Sequence, residues 1–182
     1  MKTFKVPAKE NVSPANQQLF DKLAKGLGKV PNLYATMAYS ENGLGTYLAL
    51  SSAKSSLKAK EKEAVNLVVS EVNSCDYCLS AHTMIGKLNG FTDEQILEIR
   101  SGEAPFDSKL DALVKLAKNL TEKRGKADAE VVDNFFAAGY TEENLVDTIL
   151  VVGDKTITNL LYGVTQIPID FPAAPALHAE KA

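Results

Sequence analysis

Apolar residues recur along this chain at the three- and four-residue spacing of helices, and nowhere in the alternation of a strand. Leu19, Phe20, Leu23 and Leu27 form the first stripe. Ser13-Pro14 ahead of it supplies an N-cap and a proline at the first helical position, and Gly26 and Gly28 close it. Residues 1–12 read as an irregular arm. Pro31 opens a short helix through Met37, and Ser40-Glu41-Asn42 separates it from a third carrying Leu44, Tyr47, Leu48 and Leu50. The next helix runs from Lys58 to Val72. Its middle, Ala64-Val65-Asn66-Leu67-Val68-Val69, is apolar almost all round, the mark of a buried helix. Val65, Val68 and Val69 are β-branched, but strong helix formers upstream favour the helix.

Asn73-Ser74 is a turn signal, followed by a helix from Cys75 to Leu88 that Asn89-Gly90 ends. Thr92-Asp93-Glu94-Gln95 has capping-box spacing and starts a short helix to Arg100. Leu110, Leu113, Val114, Ala117 and Leu120 form the stripe of a longer amphipathic helix. Asp128 begins another, with Val131, Val132, Phe135 and Phe136 inward. Thr141 caps the last, which runs through Leu145, Ile149, Leu150, Ile157, Leu160 and Leu161, with Gly153 as its weak point. Pro168, Pro172 and Pro175 prevent the tail from being helical throughout. The expectation is an all-α fold of about eight helices, one domain over residues 1–182, with a helix hairpin at its centre.

Composition narrows this little. At 182 residues with 45% hydrophobic and 24% charged residues, the chain is ordinary for a globular domain with a sizeable core. A net charge of −3 argues against a nucleic-acid partner, which needs clustered basic residues. The lysines from Lys54 to Lys62 are interleaved with Glu61 and Glu63 and read as a solvated helix start, with Lys60, Glu61 and Lys62 wet. Gly26-Leu27-Gly28-Lys29 lacks a preceding strand and the full pattern of a phosphate loop. No apolar run is long enough to cross a bilayer, and the N-terminus has no signal-peptide pattern, so a cytoplasmic protein without a membrane partner is expected.

The cysteines change the picture. Cys75-Asp76-Tyr77-Cys78-Leu79-Ser80-Ala81-His82 holds both cysteines and one of only two histidines. In a reducing compartment such a pair is catalytic or metal-binding before it is a structural staple. On a helix Cys75, Cys78 and His82 share one face. If the chain reverses at Asn73-Ser74, Glu63 stands about 15 Å before the turn and His82 about 12–13 Å after it, at one level. Glu63 leads into the greasiest part of its helix, where burial would raise its pKa towards that of a base or proton relay. Glu71 is the rival carboxylate, nearer the turn. Cys75 is favoured as the attacking thiol by the helix dipole, and Cys78 by its nearness to His82; the spacing leaves both open. Either thiol, once a sulfenic acid, could condense with the other.

Glu63, Cys75, Cys78 and His82 fall at the E-x(11)-C-x-x-C-x-x-x-H spacing of the AhpD-like proteins of the carboxymuconolactone decarboxylase superfamily, which the chain resembles. The resemblance also takes in Gly28-Lys29-Val30-Pro31-Asn32-Leu33, Thr156-Ile157-Thr158-Asn159 and Pro168-Ile169-Asp170. It implies an all-helical homo-oligomer, trimer or hexamer, that reduces hydroperoxides without a cofactor or metal. A dithiol or thioredoxin-like reductant would then restore the thiols. It implies that Cys78 is the peroxidatic cysteine, Cys75 its resolving partner, and His82 and Glu63 the proton relay. One departure stands out: AhpD has a histidine between the cysteines, where this chain has Tyr77. Two other readings compete: an oligomeric scaffold or small-molecule binder with idle thiols, and a zinc module using Cys75, Cys78, His82 and a carboxylate. Asn159 and Tyr162 read as core packing, or as the wall of a pocket, and His178 as solvated.

Overall fold

The computed structural model describes residues 3–177. Among them are nine α-helices, one 3-10 turn and no strand: α1 Pro14–Leu27, α2 Asn32–Met37, α3 Gly43–Ser51, α4 Ala59–Val72, α5 Asp76–Leu88, α6 Asp93–Ser101, α7 Ser108–Glu122, α8 Ala129–Ala137 and α9 Glu142–Thr165. The fold class is as the periodicity predicts, with one helix more than the expected eight. The arm before α1 holds the 3-10 turn, Lys9–Asn11. The caps act where they were read. The Ser13 hydroxyl accepts the Asn16 N–H at 3.3 Å, and Thr92 and Gln95 bond each other's backbone N–H. Thr141 Oγ1 accepts the Asn144 N–H at 3.3 Å. Gly153 does not interrupt α9.

The described residues form two compact units. The first comprises the residues up to Lys54 and Leu160–Asp170, and the second comprises Ser55–Asn159 and the residues from Phe171 on. In the first, Phe20, Leu44, Tyr47 and Met37 form an apolar centre with Leu161 packed against it. Buried Asn16 donates to the carbonyls of Ala38 and Ser40, which fixes the link from α2 to α3. Asp170 accepts the Asn32 N–H and pairs with Lys29 at 2.9 Å, closing the chain's return onto α2.

In the second unit α4 is the central helix. Ala64, Val65, Leu67, Val68 and Val69 are wholly buried, joined by Ile96, Ile99, Leu113, Val114, Leu116 and Phe135 from α6, α7 and α8. A helix apolar on all sides needs neighbours on all sides, and α5, α6 and α7 supply them. At the α4 start Lys60 is exposed as expected, whereas Glu61 and Lys62 are half-buried. Glu61 accepts the Lys58 N–H at 2.8 Å and the Tyr140 hydroxyl at 3.0 Å, and Lys60 lies over the Phe91 ring. Of the α8 residues read as inward, Phe135 is fully buried, while Val131, Val132 and Phe136 are partly covered. On α9, Val146, Ile149, Leu150 and Ile157 are about half exposed, so periodicity there marks a face that the chain itself leaves uncovered.

Candidate functional site

The reversal between α4 and α5 is made by three backbone bonds, from the N–H of Asn73, Ser74 and Cys75 to the carbonyls of Val69, Glu71 and Ser70. Ser74 takes a left-handed backbone, φ 51°, that turns the chain in this short space. Cys75 is therefore not the first helical residue, as the sequence reading had it, but the N-cap of α5. Its Sγ accepts the Cys78 N–H at 3.4 Å. Cys78 sits one turn in, still within the stretch where the helix dipole and unpaired N–H groups favour an anion.

The hairpin brings all four motif residues together. Both thiols are free and buried, with the sulfurs 2.7 Å apart and the Cys75 S–H donating to Cys78. His82 Nδ1 meets Glu63 Oε1 at 2.6 Å, and Asn66 donates to Glu63 Oε2 at 3.2 Å. Residues that are nineteen positions apart in sequence thus share one hydrogen bond.

The electrostatics separate the two sulfurs. The hydrogen bond from Cys75 is the largest influence on Cys78 and draws its pKa down; burial opposes this. The charges of Lys155 and His82 and the Thr158 side chain add to the lowering, leaving Cys78 near 6. Cys75 is pushed far up, chiefly by the same hydrogen bond, then by burial and by the neighbouring sulfur's charge. The dipole argument for Cys75 fails for this reason: both thiols lie within reach of the dipole, and the one that gives its hydrogen to the other is not the anion.

Glu63 also departs from expectation. Burial raises its pKa, but the charge and hydrogen bond of His82, with Asn66 and Lys155, outweigh burial and hold the carboxyl below its ordinary value. It stands as a carboxylate bonded to the imidazole, with its pKa lowered where burial alone would raise it. Glu71 is committed elsewhere. Its Oε2 accepts from Arg100 Nε at 2.7 Å, and Arg100, almost wholly buried, also donates to the Pro175 carbonyl at 2.7 Å.

Two further elements complete the surroundings. The tail returns to α5, where the Ala174 N–H reaches Ser80 Oγ at 3.3 Å and the Phe171 ring stands edge-on to Tyr77 at 5.6 Å. Tyr77, between the cysteines, is buried in that contact. On α9, Asn159 Oδ1 accepts from Asn73 Nδ2 at 2.9 Å across from the turn. The Asn159 amide lowers the Cys75 pKa, Thr158 that of Cys78, and Lys155 those of Cys78 and Glu63. Asn159 is buried and bonded to the turn that carries the cysteines, and Tyr162 is buried. Lys155 and the role of Thr158 escaped the sequence reading. Their signal was that Lys155, Thr158 and Asn159 stand at i, i+3 and i+4, on one face of the helix. His178 lies outside the described residues. Among the described residues, no three or more His, Cys, Asp or Glu side chains are grouped to hold a metal ion, and no helix is long and apolar enough to cross a membrane.

Residues 41–122, from just before α3 to the end of α7, match the carboxymuconolactone decarboxylase family. The uncharacterized protein YdfG of Bacillus subtilis (strain 168) is 26% identical over 101 residues, 54% of this chain and 69% of its own length. Among solved structures, the fold is similar to an uncharacterized peroxidase-related protein from Silicibacter sp. TM1040 (TM-score 0.82, 20% identity, 97% of this chain and 95% of that one). It is similar also to an uncharacterized peroxidase-related protein with an alkylhydroperoxidase AhpD core from Ralstonia eutropha JMP134 (0.82, 17%, 92% and 91%). A third is the debrominase Bmp8 in complex with 2,3,4-tribromopyrrole (0.76, 17%, 93% and 93%). At these identities the likeness is one of fold.

Proposed function

The family match and the AhpD-like fold together support an AhpD-like member of the carboxymuconolactone decarboxylase superfamily, and on that premise we propose that the chain is a thiol-dependent hydroperoxide reductase. The observation that carries this reading is the buried Cys75–Cys78 contact, with one thiol made acidic and the other not, beside the Glu63–His82 pair. The Cys78 thiolate attacks a peroxide oxygen. The O–O bond breaks, an S–O bond forms, and the leaving alkoxide takes a proton from His82. Glu63 occupies Nδ1, so proton exchange runs through Nε2. The Cys75 sulfur, already at 2.7 Å, then displaces water from the sulfenic acid to form a disulfide. The peroxide has gained two electrons, and a dithiol or thioredoxin-like reductant returns them.

The half-exposed apolar residues of α9 support the further proposal that the chain works as a homo-oligomer, trimer or hexamer. The test of the reading is stoichiometric. One equivalent of hydroperoxide is expected to consume two thiols in the reduced chain and leave an intramolecular disulfide. Cys78→Ser is expected to abolish peroxide consumption, whereas Cys75→Ser halts at a sulfenic acid trapped by dimedone. Thiols that survive the peroxide overturn the reading. Running 2,3,4-tribromopyrrole in parallel shows whether the thiol pair instead serves reductive debromination, as the name of Bmp8 states for that protein.

A further inference from the structure

Lys155 is only 4% exposed, in the middle of α9. A buried ammonium is costly unless an anion faces it. Among the described residues no carboxylate oxygen lies within 4 Å of its Nζ. The helix register gives its position. Asn159 is tied to Asn73 at the α4–α5 turn, and Thr158, whose hydroxyl bonds the Lys155 carbonyl at 2.7 Å, is itself buried. Lys155, one turn before Thr158 and Asn159, therefore points the same way, towards α4 and α5. The groups that its charge acts on there are Cys78 and Glu63. Glu63 already shares hydrogen bonds with His82 at 2.6 Å and with Asn66, which leaves the Cys78 sulfur as the anion for Lys155 to balance.

We propose that Lys155 is a positioning residue of this site, the buried counter-charge that keeps Cys78 a thiolate. It deepens the reading of Cys78 as the reacting thiol and rests on that assignment. It lies outside the segment that matches the family and outside the cysteine motif. The charged groups facing Cys78 are then His82 on its own helix and Lys155 on α9. Glu63 on α4 reaches it through His82, Cys75 contributes its hydrogen bond, and Tyr77 brings no cation. The two differ in setting: His82 is hydrogen-bonded to a carboxylate, whereas Lys155 is buried on α9 with no carboxylate oxygen within 4 Å among the described residues.

The test is the pH profile of Cys78 alkylation by iodoacetamide in the reduced chain, with the label located by peptide mapping. Wild type is expected to have its midpoint near 6. Lys155→Met keeps the length of the side chain and removes the charge. It is expected to move the midpoint upward and slow alkylation at pH 6 by about tenfold or more. Lys155→Arg restores the wild-type profile. A Lys155→Met chain with native helical circular dichroism and an unmoved midpoint overturns the proposal. Should Lys155→Met not fold, Lys155→Gln answers the same question. If both uncharged variants fail to fold while Lys155→Arg folds with the wild-type midpoint, the requirement for charge stands. If Lys155→Arg fails with them, the residue is a packing element and the proposal falls. Since alkylation needs no peroxide, a chain inert to hydroperoxides refutes the proposed function and leaves this result standing.

Discussion

Two sulfurs of the same chemical type, three residues apart, end with opposite acidities because a single hydrogen is shared between them unequally. A thiol with an ordinary pKa is mostly protonated at neutral pH, whereas one near 6 is mostly anionic there, and nucleophilicity follows the anion. At the same scale, Glu63 gives a linkage prediction. Its folded pKa lies below the ordinary 4.5. It therefore stabilises the fold above that value, and the contribution is lost as pH falls through the folded pKa. Thermal melts from about pH 6 down to about pH 3 are expected to show a steeper loss of Tm in wild type than in Glu63→Gln, which has no carboxyl to protonate. Parallel curves refute the assignment of Glu63 as the paired carboxylate.

An element is stable when its neighbours answer what its sequence leaves unanswered. The α4 helix is apolar all round and finds helices around it. Arg100 on α6 is a charge in the interior. It is held by the Glu71 carboxylate from the end of α4 and by a tail carbonyl. Removing one partner of such a pair leaves the other charge buried, at a cost of about 3–5 kcal/mol. Glu71 keeps partial contact with water, so Glu71→Ala is expected to lose about 3 kcal/mol in urea unfolding, near the lower end. Glu71→Gln, which preserves the hydrogen bond, should lose less. A Glu71→Ala chain as stable as wild type means that the pair contributes nothing. The tail that accepts from Arg100 also lies against Tyr77 and Ser80, so one buried arginine helps to hold the covering of the cysteine helix.

For the whole molecule the open matter is what covers α9. Its apolar period continues through residues that the chain's own packing leaves half exposed. Light scattering after gel filtration is expected to give the mass of a trimer or hexamer of the 19.6 kDa chain. Ile149→Asp combined with Leu150→Asp should shift it towards the monomer, with helical content retained. A wild-type chain that runs as a monomer refutes self-association through this face. The sequence by itself determined the helices and the motif. Hydrophobic period, caps and turn residues act within a few positions of one another, so the all-helical class and the Asn73-Ser74 reversal were legible, with about eight helices expected against nine among the described residues, and the reversal alone put Glu63 beside His82. Tertiary structure decided what depends on groups far apart in the chain. Arg100 drew Glu71 away from the histidine, and His82 reversed the expected rise in the Glu63 pKa. A polar face more than seventy residues downstream brought Lys155, Thr158 and Asn159 to the sulfurs. Local pattern fixes conformation because its forces are short-ranged along the backbone. Acidity is set by whichever charges and hydrogens arrive through space, and no spacing in the sequence records their arrival.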